Sequence, residues 1–237
     1  MLLSVVIPTL NEEKYLPRLL ISLKEQDFSD MEIIVSDGNS TDRTREISSS
    51  FGAKVLIDDS RGPARQRNIG AQEANGELIL FLDADGVLSD KDFISAAVSE
   101  FQKRNLAIAG FLLNVDSPKF SYRFFGLVYN LFTLIRTMYK PIAVGAGIMV
   151  KKELHERSGG FNEALGVNED HEYTTSASAL GRFGILKSKK INFSVRRLEK
   201  EGALKMLKTW MQMAWYDISG KKSKPGDIDY EFGKYDK

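Results

Sequence analysis

The stretch Glu77-Leu78-Ile79-Leu80-Phe81-Leu82-Asp83-Ala84-Asp85-Gly86 limits the possible folds of this chain more than any other. Its run of five apolar residues reads as a strand buried on both faces, the kind found inside a parallel sheet with helices on either side. In an open α/β sheet the carboxyl ends of the strands border the ligand crevice, which places Asp83 and Asp85 at a binding site. Side chains two apart in an extended segment point the same way. The pair is therefore expected to offer hard oxygen donors together, suited to Mg²⁺ or Mn²⁺ and, through the ion, to a diphosphate. An Asp-x-Asp triplet also marks ordinary solvated turns at strand ends. The rest of the chain decides between these readings.

Upstream, Leu2-Leu3-Ser4-Val5-Val6-Ile7 predicts a first buried strand, followed by the turn Pro8-Thr9-Leu10-Asn11-Glu12-Glu13. Asn11 or Thr9 is placed to cap a helix carrying Leu16, Leu19, Leu20 and Leu23 at helical spacing. Glu32 to Ser36 predicts a second strand and Val55-Leu56-Ile57 a third. Between them Gly38 permits a tight turn, and Ser40 or Thr41 starts a helix. Strand and helix alternating at this spacing mean βαβ units and a mostly parallel sheet. Pro63 suits the first turn of a helix bearing Arg65 and Arg67, close after Arg61. These arginines either contact phosphates, pair with acidic loops across the crevice, or, for Arg65, lie on a solvated face. A helix from about Asp90 to Arg104 and a strand near Leu106 to Val115 follow.

Among the sequence's 237 residues, 33 basic side chains stand against 32 acidic ones, which argues against a dedicated nucleic-acid binder. The lack of cysteine removes disulfides, zinc thiolates and thiol nucleophiles from consideration, and it is compatible with a cytoplasmic location. Met1 to Ile7 lacks the basic start of a signal peptide. The charge-free stretch from Phe124 to Ile135 is too short for the roughly 20 residues a spanning helix needs. No G-x-G-x-x-G, phosphate loop or G-x-S-x-G element is present.

Four segments then fall in order: Val6-Ile7-Pro8-Thr9-Leu10-Asn11-Glu12, Val35-Ser36-Asp37-Gly38-Asn39-Ser40-Thr41-Asp42, Arg67-Asn68-Ile69-Gly70 and Asp83-Ala84-Asp85. Together they resemble the family 2 glycosyltransferases, which have the Rossmann-like GT-A fold. The resemblance is strong over about residues 1–90 and continues through Glu169-Asp170. It implies an inverting, metal-assisted transferase moving one sugar from a UDP- or GDP-sugar to a lipid-linked, glycan or small hydroxyl acceptor.

Residue by residue, the resemblance places Pro8, Thr9, Asn11 and Glu12 around the nucleoside and has Asp37 bond the base. It sets Arg67 and Asn68 near nucleotide and sugar, Asp83 with Ala84 at the ribose or sugar, and Asp85, with Asp83, on the metal. Asp170 matches the base that takes the acceptor proton, with Glu169 as its neighbour. By their residues alone, Glu169, Asp170 and Glu172 are also acids suited to a helix's first turn. Arg196 or Arg197 would close over the diphosphate. The Gln-x-x-Arg-Trp element of processive synthases is missing, so processive synthesis is not expected. The layout is shared with sugar nucleotidyltransferases, whose glycine-rich first loop is replaced here by Pro8 to Glu12. A catalytically degenerate nucleotide-sugar-binding or membrane-associated module is the remaining alternative.

The expected division is a GT-A catalytic domain over 1–199, with 1–110 serving the nucleotide-sugar and 111–199 the acceptor. An amphipathic helix over 200–218 and a polar tail over 219–237 follow. Gly145 and Gly147 are either turn residues or room for a sugar ring. Phe120 to Arg136 is unusually aromatic, and its Phe124, Leu127, Val128, Leu131, Leu134 and Ile135 face is expected to be buried. The competing reading lays this helix in a membrane interface with Arg123, Arg136 and Lys140 at head-group level, peripheral on the inner face. The last helix aligns Leu204, Leu207, Met211, Ala214, Trp215 and Ile218 on one face. The resemblance is compatible with a homodimer.

Overall fold

A computed structural model of the chain describes residues 1–59, 62–219 and 227. Expectations placed on Arg61, on the side chains of Arg197, Leu204, Leu207, Ala214 and Ile218, and on nearly all of the tail lie outside the described residues and side chains. The strands are β1 (Leu3–Thr9), β2 (Met31–Asp37), β3 (Lys54–Ile57), β4 (Leu78–Phe81), β5 (Ile108–Asn114), β6 (Ile148–Lys151) and β7 (Phe183–Asn192). They form one seven-stranded sheet in the order β3-β2-β1-β4-β6-β5-β7, so the apolar run at Leu78 is its central strand.

The helices are α1 (Leu16–Lys24), α2 (Thr44–Ser50), α3 (Pro63–Gln72), α4 (Phe93–Lys103), α5 (Phe120–Thr137), α6 (Lys152–Ser158), α7 (Glu169–Ser178), α8 (Arg196–Glu201) and α9 (Ala203–Ser219). Alternation along the strands sorts the core into two layers. Val5, Ile7, Val35 and Leu80 pack with Leu16, Leu20, Phe93 and Phe101 of α1 and α4. Val6, Ile34, Ile79 and Phe81 pack with Ala64 and Ala71 of α3, Leu154 of α6 and Tyr173 of α7. Burying each such side chain is worth roughly 1.5–3 kcal/mol, which is why the strands read as unbroken apolar runs.

One strand departs from the parallel pattern. β6 runs antiparallel to both β4 and β5, with Phe81 opposite Ile148. The loop before β6 therefore reaches the same sheet edge as the carboxyl end of β4. β7 pairs parallel to β5 and was not expected from the sequence. Its Lys187, Lys189 and Lys190 interrupt the apolar pattern, as lysines often do on a sheet's edge strand.

Local starts also differ. α1 begins after Tyr15 with a proline in its first turn and no side-chain cap. Neither Asn11 nor Thr9 caps it, because both bond to the neighbouring loop instead. α2 begins at Thr44, after Ser40 and Thr41, and its Thr44 N–H donates to Asp42 Oδ1 over 3.0 Å. Gly202, at φ +80°, separates α8 from α9, so the expected boundary at 199–200 falls inside α8. In α9, Met211 and Trp215 are exposed and Thr209 is buried.

The expectation that α5 buries its apolar face is overturned. Its buried residues are Gly126 and Thr133, whereas Leu127 is 62% and Leu131 56% exposed. The helix is fastened by other means. Asn130 accepts from Leu113 N–H over 2.9 Å and donates to the Leu113 carbonyl over 2.7 Å. This satisfies strand peptide groups beyond Gly110, where pairing with β6 ends. Gly126 lets the helix approach so closely that a Cβ there would lie 2.5 Å from Val115 Cγ2.

Candidate active site

The loops after β1, β2 and β4 meet at one sheet edge and are laced together by short polar side chains. Asp37 is fully buried. It accepts from Thr9 Oγ1 over 2.9 Å, from the Ser40 N–H over 2.8 Å, and from the Ser40 hydroxyl. Asn11, at φ 56°, accepts from the Thr41 N–H over 2.9 Å and donates its own N–H to Ser40 Oγ over 2.8 Å. The Glu12 N–H donates to Thr44 Oγ1 over 2.8 Å. Pro8 and Thr9 are buried in β1 beneath this loop pair. Asp37 thus braces the loops through three donors, which leaves about one of its roughly four acceptor sites for a further donor.

Asp83 and Asp85 do not share an extended strand end. β4 stops at Phe81, and the Gly86 N–H donates to the Asp83 carbonyl over 3.0 Å, closing a turn around buried Ala84. Each carboxylate accordingly meets a different arginine. Buried Arg67 of α3 donates from Nη2 to Asp83 Oδ1 over 2.8 Å and from Nη1 to Glu169 Oε1 over 2.9 Å. Its guanidinium stands 5.3 Å from the centre of the Phe161 ring. Its Nε is buried without a hydrogen-bond partner. Burial works to lower the Arg67 pKa, yet Asp83, Glu169 and Asp170 hold it above its ordinary value.

Arg196 of α8 forms the second bridge. It donates to both Glu12 oxygens, over 2.7 and 2.9 Å, and its Nε is 3.0 Å from Asp85 Oδ2. It also lies over the Tyr15 ring, 4.6 Å from its centre. Burial pushes both Glu12 and Asp85 above the ordinary carboxylate range, against the pull of Arg196.

Glu169 and Asp170 open α7 beside Asn168, which adopts φ 60° and donates to the Met213 carbonyl of α9 over 2.9 Å. Asp170 accepts from the Gly145 N–H over 2.7 Å and from the His171 N–H over 2.8 Å. His171 thus contributes a backbone donor. Burial first, then the charge of Asp170, push Glu169 above the ordinary carboxylate range, opposed by Arg67. Asn68 faces away from this cluster. It accepts from the Phe161 N–H over 2.8 Å and donates to Glu163 over 2.8 Å, holding the loop that carries the Phe161 ring. Arg65 pairs on the surface with Asp58 and Glu163.

The structure therefore joins Glu12, Arg67, Asp83, Asp85, Glu169, Asp170 and Arg196 at one edge, while Asp37 and Asn68 each hydrogen-bond to residues of neighbouring loops. Phe161 of the Gly159-Gly160-Phe161 segment, whose order with Glu169-Asp170 also resembles the family, lies under Arg67. Tyr15 under Arg196 was missed by sequence reasoning; it belongs to no spacing pattern and is recognised by the cation it supports.

The comparisons with known proteins agree with this arrangement. The family model for glycosyl transferase family 2 matches residues 4–159. A poly(ribitol-phosphate) beta-N-acetylglucosaminyltransferase of Staphylococcus aureus, TarS, is 38% identical over 102 residues, covering 40% of this chain and 18% of that protein. A GalNAc(5)-diNAcBac-PP-undecaprenol beta-1,3-glucosyltransferase of Campylobacter jejuni is 34% identical over 109 residues, or 43% of this chain and 34% of that protein. The match thus spans 18% and 34% of the length of these two relatives.

The crystal structure of S. aureus TarS 1-349 in complex with UDP-GlcNAc superposes with a TM-score of 0.65 at 27% identity, covering 81% of this chain and 57% of that one. The mannosyltransferase PcManGT of Pyrobaculum calidifontis, in complex with GDP-Man and Mn²⁺, gives a TM-score of 0.72 at 23% identity, covering 94% and 65%. That second likeness shows the fold alone. A sheet with the acidic turn at its central strand, a family match over most of the chain and these superpositions lead to one conclusion: the chain belongs to glycosyl transferase family 2 and has its GT-A fold.

Proposed function

We propose that this chain is an inverting glycosyltransferase that moves one sugar from a UDP- or GDP-sugar to an acceptor hydroxyl. The observation that carries the reading is Arg67. It ties Asp83, on the donor side, to Glu169, whose neighbour Asp170 stands on the acceptor side. The TarS complex with UDP-GlcNAc supports a nucleotide-sugar donor, and the C. jejuni name supports a lipid-linked acceptor.

Asp170 is the general base. As the acceptor oxygen attacks the anomeric carbon and the nucleoside diphosphate leaves, Asp170 takes the hydroxyl proton. A single displacement of this kind inverts the anomeric centre. Glu169 is less suited to the task, since taking a proton would leave buried Arg67 short of a counter-charge. The two backbone N–H groups on Asp170 hold its carboxylate in place without neutralising it.

Asp85, with Asp83, offers hard oxygen donors that fit Mg²⁺ or Mn²⁺. Among the described residues no group of three or more His, Asp or Glu is arranged to hold a metal ion by itself. That suits an ion held by one or two carboxylates and completed by phosphate oxygens and water. When bound, the ion would offset the charge developing on the diphosphate. Arg196, drawn off Asp85, would turn to the same phosphates, while Asp37 keeps the nucleoside pocket in shape.

Calorimetric titration of UDP and GDP, each with and without Mn²⁺, tests the reading on wild type and Asp37→Ala. Metal-dependent binding of one nucleotide, lost in the variant, is expected. Failure of both nucleotides to bind the wild type would sink it.

A further inference from the structure

We propose that the outward face of α5 docks on an anionic lipid bilayer, with Arg123 and Arg136 at head-group level. This deepens the transferase reading and rests on it only for the purpose of the contact, the meeting with a lipid-linked acceptor. Among the described residues no helix is long and apolar enough to cross a membrane, so the contact is with a surface.

The face itself is well defined. Phe120, Phe124, Leu127, Val128, Leu131 and Ile135 are all exposed, at 48–73%. They lie on one side of the helix, opposite the Gly126, Asn130 and Thr133 side that grips the sheet. A contiguous apolar patch of this kind marks an interaction site rather than ordinary surface. Because Asn130 and Gly126 fasten the helix, its apolar stripe is not needed to hold the fold together.

Charge decides the occupant. On the helical wheel Arg123 and Arg136 fall on the two opposite borders between buried and exposed faces. Lys119 and Lys140 flank the ends, and no acidic residue occurs between Asp116 and Glu153. Beside the last turns, Leu134 and Thr137 edge a groove whose rim carries exposed Arg182 and Lys187, along with Arg104 paired to Glu100. An apolar stripe bordered by Arg123 and Arg136, with no acid from 117 to 152, complements an anionic membrane interface. A second copy laid face to face would set this cationic rim against its own image, with no acid in the segment to answer it.

Position adds a reason. The stripe ends at Met138 and Tyr139, 79% and 82% exposed. The chain then passes Pro141, whose carbonyl accepts from Thr175 of α7 over 2.9 Å, and reaches Gly145, which donates to Asp170. The face that would meet the bilayer thus leads directly into the loop holding the proposed base.

Vesicle flotation tests this, using phosphatidylglycerol and phosphatidylcholine in equal parts, and phosphatidylcholine alone. The wild-type chain is expected to float with the anionic vesicles and to do so more weakly as salt rises. Joint Leu127→Ser and Leu131→Ser substitution should weaken binding by about tenfold or more. Arg123→Gln and Arg136→Gln should each cost about fivefold, on anionic vesicles only. Arg123, Leu127 and Leu131 are exposed and Arg136 is half-buried with its Nε covered, so an unchanged Tm is required of each variant before its binding is compared.

Wild type that stays at the bottom of the gradient overturns the proposal, as does flotation indifferent to every substitution. A dimer that the double serine variant dissociates, without vesicle binding, would reassign the face to a second copy. Calorimetry with UDP and GDP separates the two readings. Vesicle binding without nucleotide binding keeps the surface and removes the transferase, and nucleotide binding without vesicle binding does the opposite.

Discussion

Gly145 and Arg67 are fitted to each other: a Cβ at Gly145 would collide with Arg67 Nη2 and stand 3.0 Å from its Cζ. Nη2 is the atom that bonds Asp83, and the Gly145 N–H is a donor to Asp170. Gly145→Ala should therefore push the guanidinium off Asp83 and shift the loop that holds the base. Arg67 cannot simply swing away, because Glu169 and the Phe161 ring hold it from the other side. We expect turnover to fall by about 10² while nucleotide affinity changes little, since a small misplacement of reacting groups has that effect. Unchanged turnover in a sugar-transfer assay would show that Arg67 has room to move.

Asp170→Asn keeps the size and one of the two backbone bonds, since its amide nitrogen cannot accept from an N–H, and it removes the proton acceptor. It should spare nucleotide binding and lower turnover by about 10² or more. Glu169→Gln serves as the control. If it abolishes turnover while Asp170→Asn remains active, the base has been assigned to the wrong carboxylate.

Asp85→Ala should remove the Mn²⁺ dependence of UDP or GDP binding, measured by calorimetry. Arg196 would stay attached to Glu12 through its two remaining bonds, so the fold should survive. Metal-dependent binding of full strength in this variant would take Asp85 out of the metal site.

His155 makes an acid-sensitive contribution. Burial against Phe81, Phe161 and Tyr173 lowers its pKa from 6.5 to about 4, and its Nδ1 lies 2.8 Å from the Tyr173 hydroxyl. The unfolded chain takes up a proton that the folded chain refuses. The stability from this residue is present above about pH 6.5, is lost as the pH falls toward about 4, and is constant below that; it is worth about 3 kcal/mol. Denaturant unfolding across this window should show a steeper loss for wild type than for His155→Gln. Equal slopes would mean that the ring is protonated in the fold.

The strands and the loops that follow them were legible because their signals are local. Leu78 to Phe81 is apolar without interruption because helices cover both faces of the sheet, and Pro63 opens α3 because a proline fits a first turn. The ordered run of Thr9, Asn11, Asp37, Arg67, Asp83 and Asp170 carries the family resemblance without reference to any tertiary contact. Local rules reached too far at Asp83 and Asp85, where Gly86 closes a turn and each carboxylate meets a different arginine.

The tertiary structure alone decided which groups pair across the chain. Glu12 meets Arg196, and Arg67 meets both Asp83 and Glu169, through contacts that no spacing encodes. It also decided which way α5 faces. An apolar stripe states that a face avoids water, not what covers it, and the choice fell to Asn130 and Gly126 on the opposite side. In the same way β6 turned antiparallel through its pairing with β4 and β5, bringing Gly145 to the active edge. Sequence determines what each segment can bury or bond, and packing among distant segments determines which of those options is realised.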